Sequence, residues 1–557
     1  MKKLLALVLA LIMAISLVAC GGPSGPSGEQ TQNPNPGPSE SATTEVTPPD
    51  PTVTYKDTVL ISANSEIQNP YCYGATSTVC SYIGNMTHES LFVLDYSGGG
   101  AIPVLAKEAV DVNGDGMVWN VKLNEGVMFH YKDAEYKEMK ASDVKWTYEW
   151  AAIGDGAGVT AGVAIRTVAV MAYVDEIEVN GDYELTFHLN APLFDFPSYC
   201  TDKILCADAM AEYGDTEGQL CGTGSYYINL DESVSGQQWV LTRYDGYWQG
   251  IEDHPTKNIV FVVHTDANTG VAALQAGEVD MRISLNATAA LQFQNNPAYV
   301  VHSVPGMNIY SVLLNSYDGS GVFDGEDDAD QIKLRQAISM AINRDEVVSI
   351  IYATNPSAGA RQDSLWHPGN DGYKDTGKIE YNVEKAQGIM KELGYNENNV
   401  LTLKLLHYAS NSTFGQIIQD QLKKIYINVE LVTIESSQFG STLRTGQGWD
   451  IALNYYTPKL TIAGTMTNTL LSTGGNAKTY GWNSAAMDAK INAIMNETSA
   501  ESQLKAFQEF QVWANDYVPR IPVYVGNTMH GATAELEGFV ICPNLADQDF
   551  TTLRVPE

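Results

Sequence analysis

The composition breaks at Thr52, and that break decides how much of the 557-residue chain can fold. Before it runs GGPSGPSGEQTQNPNPGPSESATTEVTPPDPT, residues 21–52, with no apolar periodicity. Glycine and serine keep such a stretch flexible, proline keeps it extended, and nothing in it can build a core. It reads as a tether with a root-mean-square reach on the order of 30 Å. The roughly 500 residues that follow exceed what one compact core supports, so two or three domains are expected.

Ahead of the tether, Lys2 and Lys3 precede an apolar run over residues 4–18. That run has signal-peptide length and is shorter than the roughly 20 residues a spanning helix needs. It ends Leu17-Val18-Ala19-Cys20, which resembles the bacterial lipobox, where the signal is cut before a cysteine whose sulfur is then acylated. Residues 1–19 are expected to be a lipoprotein signal peptide and Cys20 the lipidation site, with the linker reaching residue 52. The folded part is then extracytoplasmic and held at the cell membrane by its lipid anchor only.

Charge narrows the partners. With 66 acidic against 32 basic residues the formal net charge is −34. Such a field repels nucleic acid and anionic lipid, so no nucleic-acid partner is expected. Cys72, Cys80, Cys200, Cys206, Cys221 and Cys542 remain after lipidation. Six cysteines allow 15 pairings, and spacing does not choose among them. No CxxC or HExxH pattern occurs and the histidines are scattered, so no metal site and no cofactor are expected.

DVNGDG, residues 111–116, begins as a calcium-binding EF-hand loop does. The twelfth position of that loop requires a bidentate carboxylate, and here it is Lys122. Trp119, Val121 and Leu123 alternate with Asn120 and Lys122, the pattern of a strand with one buried face. The stretch is a turn entering a strand, not a calcium loop.

From Trp119 the chain reads WNVKLNEGVMFHYKDAEYKEMKASDVKWTYEW. This resembles the signature region of the family 5 bacterial extracellular solute-binding proteins, the peptide- and nickel-binding lipoproteins of ABC importers. Residues 126–130 and 141–144 carry the likeness, although the loop between them is longer than usual. Further blocks resemble the family in its own order: APLFDF at 191–196, GTGSY at 222–226, RYDGYW at 243–248 and ALQAGEVD at 273–280. LRQAISMAINRDEV at 334–347 and YNVEKAQGIMKELGY at 381–395 complete the set.

Local patterns agree with mixed elements. VDEIEVNGDYELTFHLN suggests a hairpin turning at Asn180-Gly181. Leu334, Ala337, Ile338, Ala341 and Ile342 share one helix face. Asn382 suits a helix N-cap and Gly394 a helix stop, and Pro519 and Pro522 break the last helix before a closing strand. The expected class is α/β.

The resemblance implies a periplasmic-binding-protein-like two-lobed fold with a cleft and hinge, plus an extra domain inserted in the first lobe. Lobe I would comprise 53–96, 206–306 and 512–557, the extra domain 97–205 and lobe II 307–511, with crossings near Gly306 and Gln511. The implied role is to capture a small solute, foremost a peptide, as a monomer, and to pass it to ABC permease subunits without catalysis.

Peptide-binding relatives set an aspartate against the ligand's α-amino group. The matching stretch, WDIALNYYTPKLTIAGTMTNTLLS, puts Lys459 at that position. A cation repels an ammonium, so either the amine is held elsewhere, or the solute has no free amine, or Lys459 faces solvent. Arg361 is a candidate for a ligand carboxylate, with a surface role as the alternative. Trp366, Tyr455 and Tyr456 are candidate cleft walls, with core roles as the alternative. An oligosaccharide, organic acid or metal chelate stays open as the solute. A hydrolase is disfavoured because no GxSxG or comparable catalytic pattern occurs, and a sensor or adhesin built on the same fold stays open.

Overall fold

The structure is a computed structural model describing residues 48–557 except 68–69, 74–76, 97–99, 153–168, 318–320, 325–327 and 474–482. The signal peptide, Cys20 and residues 21–47 of the tether lie outside the described residues.

One 11-stranded sheet organises most of the chain. Its first half pairs Thr58–Ala63 with Asn258–Val263 and with Met281–Arg282, all parallel. Its second half pairs Leu401–Tyr408 in parallel with Ile427–Ile434 and Ile451–Tyr456. The helix Ser412–Lys423 makes the crossover, burying Phe414, Ile417, Ile418 and Leu422 at the three- and four-residue spacing of one face. Two long antiparallel strands, Tyr299–Leu314 and Ile521–Thr533, join the halves.

Those two strands carry the chain from one core to another. Ile61, Phe261 and Ala532 belong to the first core, while Val312, Leu405, Ile451 and Val523 belong to the second. Between the cores the pairing shifts register: Pro305 opposes Asn527, and the next matched pair is Ile309 with Val525. This break includes Gly306. The other crossing is not near Gln511. That residue is fully buried in the helix Ala500–Tyr517, whose Phe507, Phe510, Ala514 and Tyr517 face the core. Its side chain bonds the backbone of Gly372 and Lys374. The chain crosses later, at Gly526.

Residues 97–205 contribute an antiparallel four-stranded sheet in the order Ala106–Asp111, Val118–Leu123, Glu184–Leu189, Val174–Gly181. Trp119, Val121 and Leu123 are buried and Lys122 is exposed, as the alternation requires. The hairpin turns at Asp182-Tyr183, since Gly181 pairs with Glu184. A register shift between Val179 and Gly181 takes up Asn180, whose side-chain oxygen accepts from Thr186 Oγ1. The apolar cluster of this segment also includes Cys72, Leu91, Ala209 and Cys221, so packing runs on across residues 97 and 205. The segment also touches the second lobe: Ile462 N–H donates to Asp195 Oδ2 at 3.1 Å and Thr461 Oγ1 to Tyr199 Oη at 3.1 Å.

The helix Ala329–Ala341 starts on Asp328, which accepts from Gln331 N–H, and buries Leu334, Ala337, Ile338 and Ala341. Asn382 caps Val383–Glu392 through Lys385 N–H. The six cysteines are thiols in this structure, all but Cys542 buried. Among the described residues no helix is long and apolar enough to cross a membrane.

Candidate functional site

A cavity of about 600 Å³ opens at the register break between the lobes. Ser284 and Asn286 line it from the first lobe, Tyr352, Tyr455 and Thr457 from the second, and Gly306, Asn308 and Gly526 from the crossing strands. Gly306, Met307 and Asn308 fall in the irregularity where the register with Ile521–Thr533 slips between Pro305–Asn527 and Ile309–Val525, and pairing with Ile451–Tyr456 starts only at Ile309.

The wall comes from cross-strand register. Tyr310 sits opposite both Tyr455 and Tyr524, so the three rings form a row on one sheet face. Tyr310 stacks on Tyr524 with centroids 4.5 Å apart and planes 4° from parallel. Tyr455 lies 5.5 Å from Tyr310 at the open end of the row, where it is 40% exposed. Tyr352 meets Tyr524 edge-on at 6.0 Å.

Amide side chains supply the polar groups. Asn308 Oδ1 accepts from Thr457 Oγ1 at 2.7 Å. Asn527 Nδ2 donates to Ser303 Oγ and Ser357 O, both at 3.0 Å. Asn286 Oδ1 caps a helix by accepting from Ala289 N–H. Ser284, between Met281–Arg282 and that helix, has φ +56°, a left-handed conformation unusual outside glycine.

The sequence candidates are placed differently from one another. Tyr455 lines the cavity, whereas Tyr456, one residue on, points through the opposite sheet face and is 2% exposed. Its hydroxyl donates to Leu365 O and Arg520 lies over its ring at 4.4 Å. Trp366 is fully buried, edge-on to Phe507 and Phe510, so it packs the core and walls no cleft. Arg361 is held by its own chain: Asp363 takes Nε and Nη2 at 2.8 and 2.7 Å, Asp345 takes Nη1 at 2.6 Å, and Ile379 O also accepts. Its hydrogen bonds to the Asp363 carboxylate hold its pKa above the usual arginine value. With both sides of the fork filled, the guanidinium presents no bidentate face to a ligand carboxylate. Lys459 has an exposed side chain outside the cavity lining, and its backbone carbonyl accepts from Asn370 Nδ2.

Sequence reasoning missed Asn286, Asn308, Tyr310, Tyr352 and Asn527. The alternation in MNIYSVLL, residues 307–314, carries a strand signal that puts Asn308 and Tyr310 on one face. The approach of Asn527 and Asn286 depends on long-range pairing and leaves no local mark.

A second cavity of about 490 Å³ is lined by Glu89, Lys203, Asp547 and their neighbours, with no contribution from the described residues of 307–511. Burial raises the Glu89 carboxyl and lowers the Lys203 ammonium from their ordinary values. Glu89 accepts from Tyr247 Oη at 2.7 Å and Trp248 Nε1 at 2.8 Å, a brace within the first lobe.

The profile described as Bacterial extracellular solute-binding proteins, family 5 Middle, matches residues 100–478. A dipeptide-binding protein of Pseudomonas aeruginosa is 23% identical over 483 residues, covering 81% of this chain and 86% of that one. A heme-binding protein A of Haemophilus influenzae is 23% identical over 477 residues, covering 79% and 82%. The fold matches the crystal structure of CtaP, a substrate-binding protein of an ABC transporter from Listeria monocytogenes, with TM-score 0.74, 19% identity and coverage of 90% and 100%.

Proposed function

The chain belongs to the bacterial extracellular solute-binding proteins, family 5, and on that premise we propose that it is the membrane-tethered binding protein of an ABC importer. It captures a peptide or peptide-like solute between its lobes and delivers it to the permease. The observation that carries this reading is the cavity at the strand break, which takes its walls from both lobes. A solute lodged there touches both walls only when they are together, so binding free energy is gained by closure and the closed form is selected. An extended ligand would run along the irregular strand level at residues 306–308, which lines the cavity.

The relatives are named as binding proteins, and binding and release suffice here without covalent chemistry. Cys20 is the acylated anchor, the segment to residue 52 the tether, and residues 97–205 an extra domain of the first lobe. Tyr455 is the sequence candidate retained as a ligand wall. The protein works as a monomer beside the permease.

Native mass spectrometry of the protein from residue 53 onward, with identification of what it carries, tests the reading. A set of short peptides is the expected cargo; a saccharide, organic acid or metal chelate overturns the peptide assignment. Cys20→Ser tests the anchor, and the variant is expected to leave the membrane fraction.

A further inference from the structure

Nearly one residue in five of this chain is charged (18%), yet none of the described residues lining the interlobe cavity carries a charge. A free peptide brings an ammonium at one end and a carboxylate at the other. Enclosing either without a counter-charge is far costlier than enclosing an amide, because an ion loses its hydration and nothing in the wall replaces it. The two cations proposed from the sequence do not supply one: Arg361 is committed to Asp345 and Asp363, and Lys459 is outside the lining.

What the wall does offer is neutral and two-sided. Asn308 and Asn286 use their oxygens within the protein, leaving Nδ2 donors without a hydrogen bond among the described residues. Asn527 uses its nitrogen and leaves its oxygen. Donors and an acceptor of amide character, beside the register break at residues 306–308, match peptide N–H and C=O groups. Tyr310, Tyr352 and Tyr455 add ring faces for apolar side chains.

We propose that the cleft selects uncharged peptide-like solutes, those whose ends are blocked or joined into a ring, over peptides with free termini. This rests on the peptide reading given above and narrows it to one chemical class.

Calorimetric titration of the protein, freed of carried solute, with three probes tests the proposal. The probes are a pool of free-ended tripeptides of neutral side chains, the same pool acetylated and amidated, and a neutral gluco-oligosaccharide. The blocked pool is expected to bind about tenfold or more tighter than the free pool. Equal or tighter binding of the free pool overturns the selectivity and leaves the peptide reading standing. Silence from both peptide pools, with or without oligosaccharide binding, overturns both. Asn308→Asp supplies an independent check, since it sets a carboxylate in the wall. The free-to-blocked affinity ratio, for peptides free only at the amino end, is expected to rise about tenfold; an unchanged ratio overturns the proposal.

Discussion

Gly306 and Gly526 meet at the break between the two crossing strands, so closely that a Cβ on Gly306 would stand 2.7 Å from the Gly526 carbonyl oxygen. A backbone atom cannot step aside, so Gly306→Ala is expected to destabilise the protein by about 1–3 kcal/mol, read from the urea midpoint. A Cβ on Gly526 instead meets the Tyr352 hydroxyl at 2.5 Å. Tyr352→Phe removes that obstacle, so the double variant with Gly526→Ala should recover most of the loss. Independent, additive losses would refute the close contact.

Asp195 ties the 97–205 segment to the second lobe through Ile462 N–H. Burial, with the charge of Asp371 adding to it, raises its carboxyl to about 7. The folded state therefore keeps a proton that the unfolded chain releases near pH 4, and stability from this group falls as pH rises through that window. Asp195→Asn keeps an acceptor for Ile462 and removes the titration. Wild-type stability minus that of the variant should fall by about 2–4 kcal/mol from pH 4 to 7 and then level off. A flat difference would place Asp195 in water.

Arg361→Ala should lower the unfolding midpoint by the equivalent of about 1–3 kcal/mol, since it strips charged hydrogen bonds from Asp345 and Asp363. Any loss of ligand affinity should be the same for acids and their amides. A loss confined to acids would show that the fork opens to bind a carboxylate.

Tyr455 and Tyr456 are neighbours in sequence with opposite expected phenotypes. Tyr455→Ala should weaken solute binding and leave stability within about 0.5 kcal/mol. Tyr456→Ala should cost about 3–5 kcal/mol of stability, because its ring is enclosed and its hydroxyl is bonded to Leu365. Calorimetry and denaturation on both variants decide the assignment.

The blocks that made the fold legible are scaffold. His130, in the GVMFH block, lies between the carbonyls of Lys132 and Gly224 and stacks on Tyr244, joining three of the blocks. Glu89 fixes the RYDGYW block by accepting from Tyr247 and Trp248. Such residues stand out because buried polar groups require fixed partners. The site was less legible for a physical reason. Its polar groups are asparagines that long-range pairing brings together from residues 286, 308 and 527. The aromatic candidates were ambiguous for another: exposure of Tyr455 against enclosure of Tyr456 and Trp366 depends on sheet register and on what covers each face. The second crossing was misplaced because a helix with an uninterrupted apolar face carries the chain past Gln511 before it turns back.

The lobes are joined by a paired ribbon of one sheet, and a ribbon has few ways to yield. Loose linkers would let one lobe swivel in any direction. Two bonded strands weakened at a single level bend chiefly about that level, so the closure proposed above would trace one arc. The outward faces would then hold a fixed mutual angle whenever the cavity is filled. On the proposed role, a permease that reads that angle needs no view of the solute, so the signal would say that cargo is present and nothing about what it is.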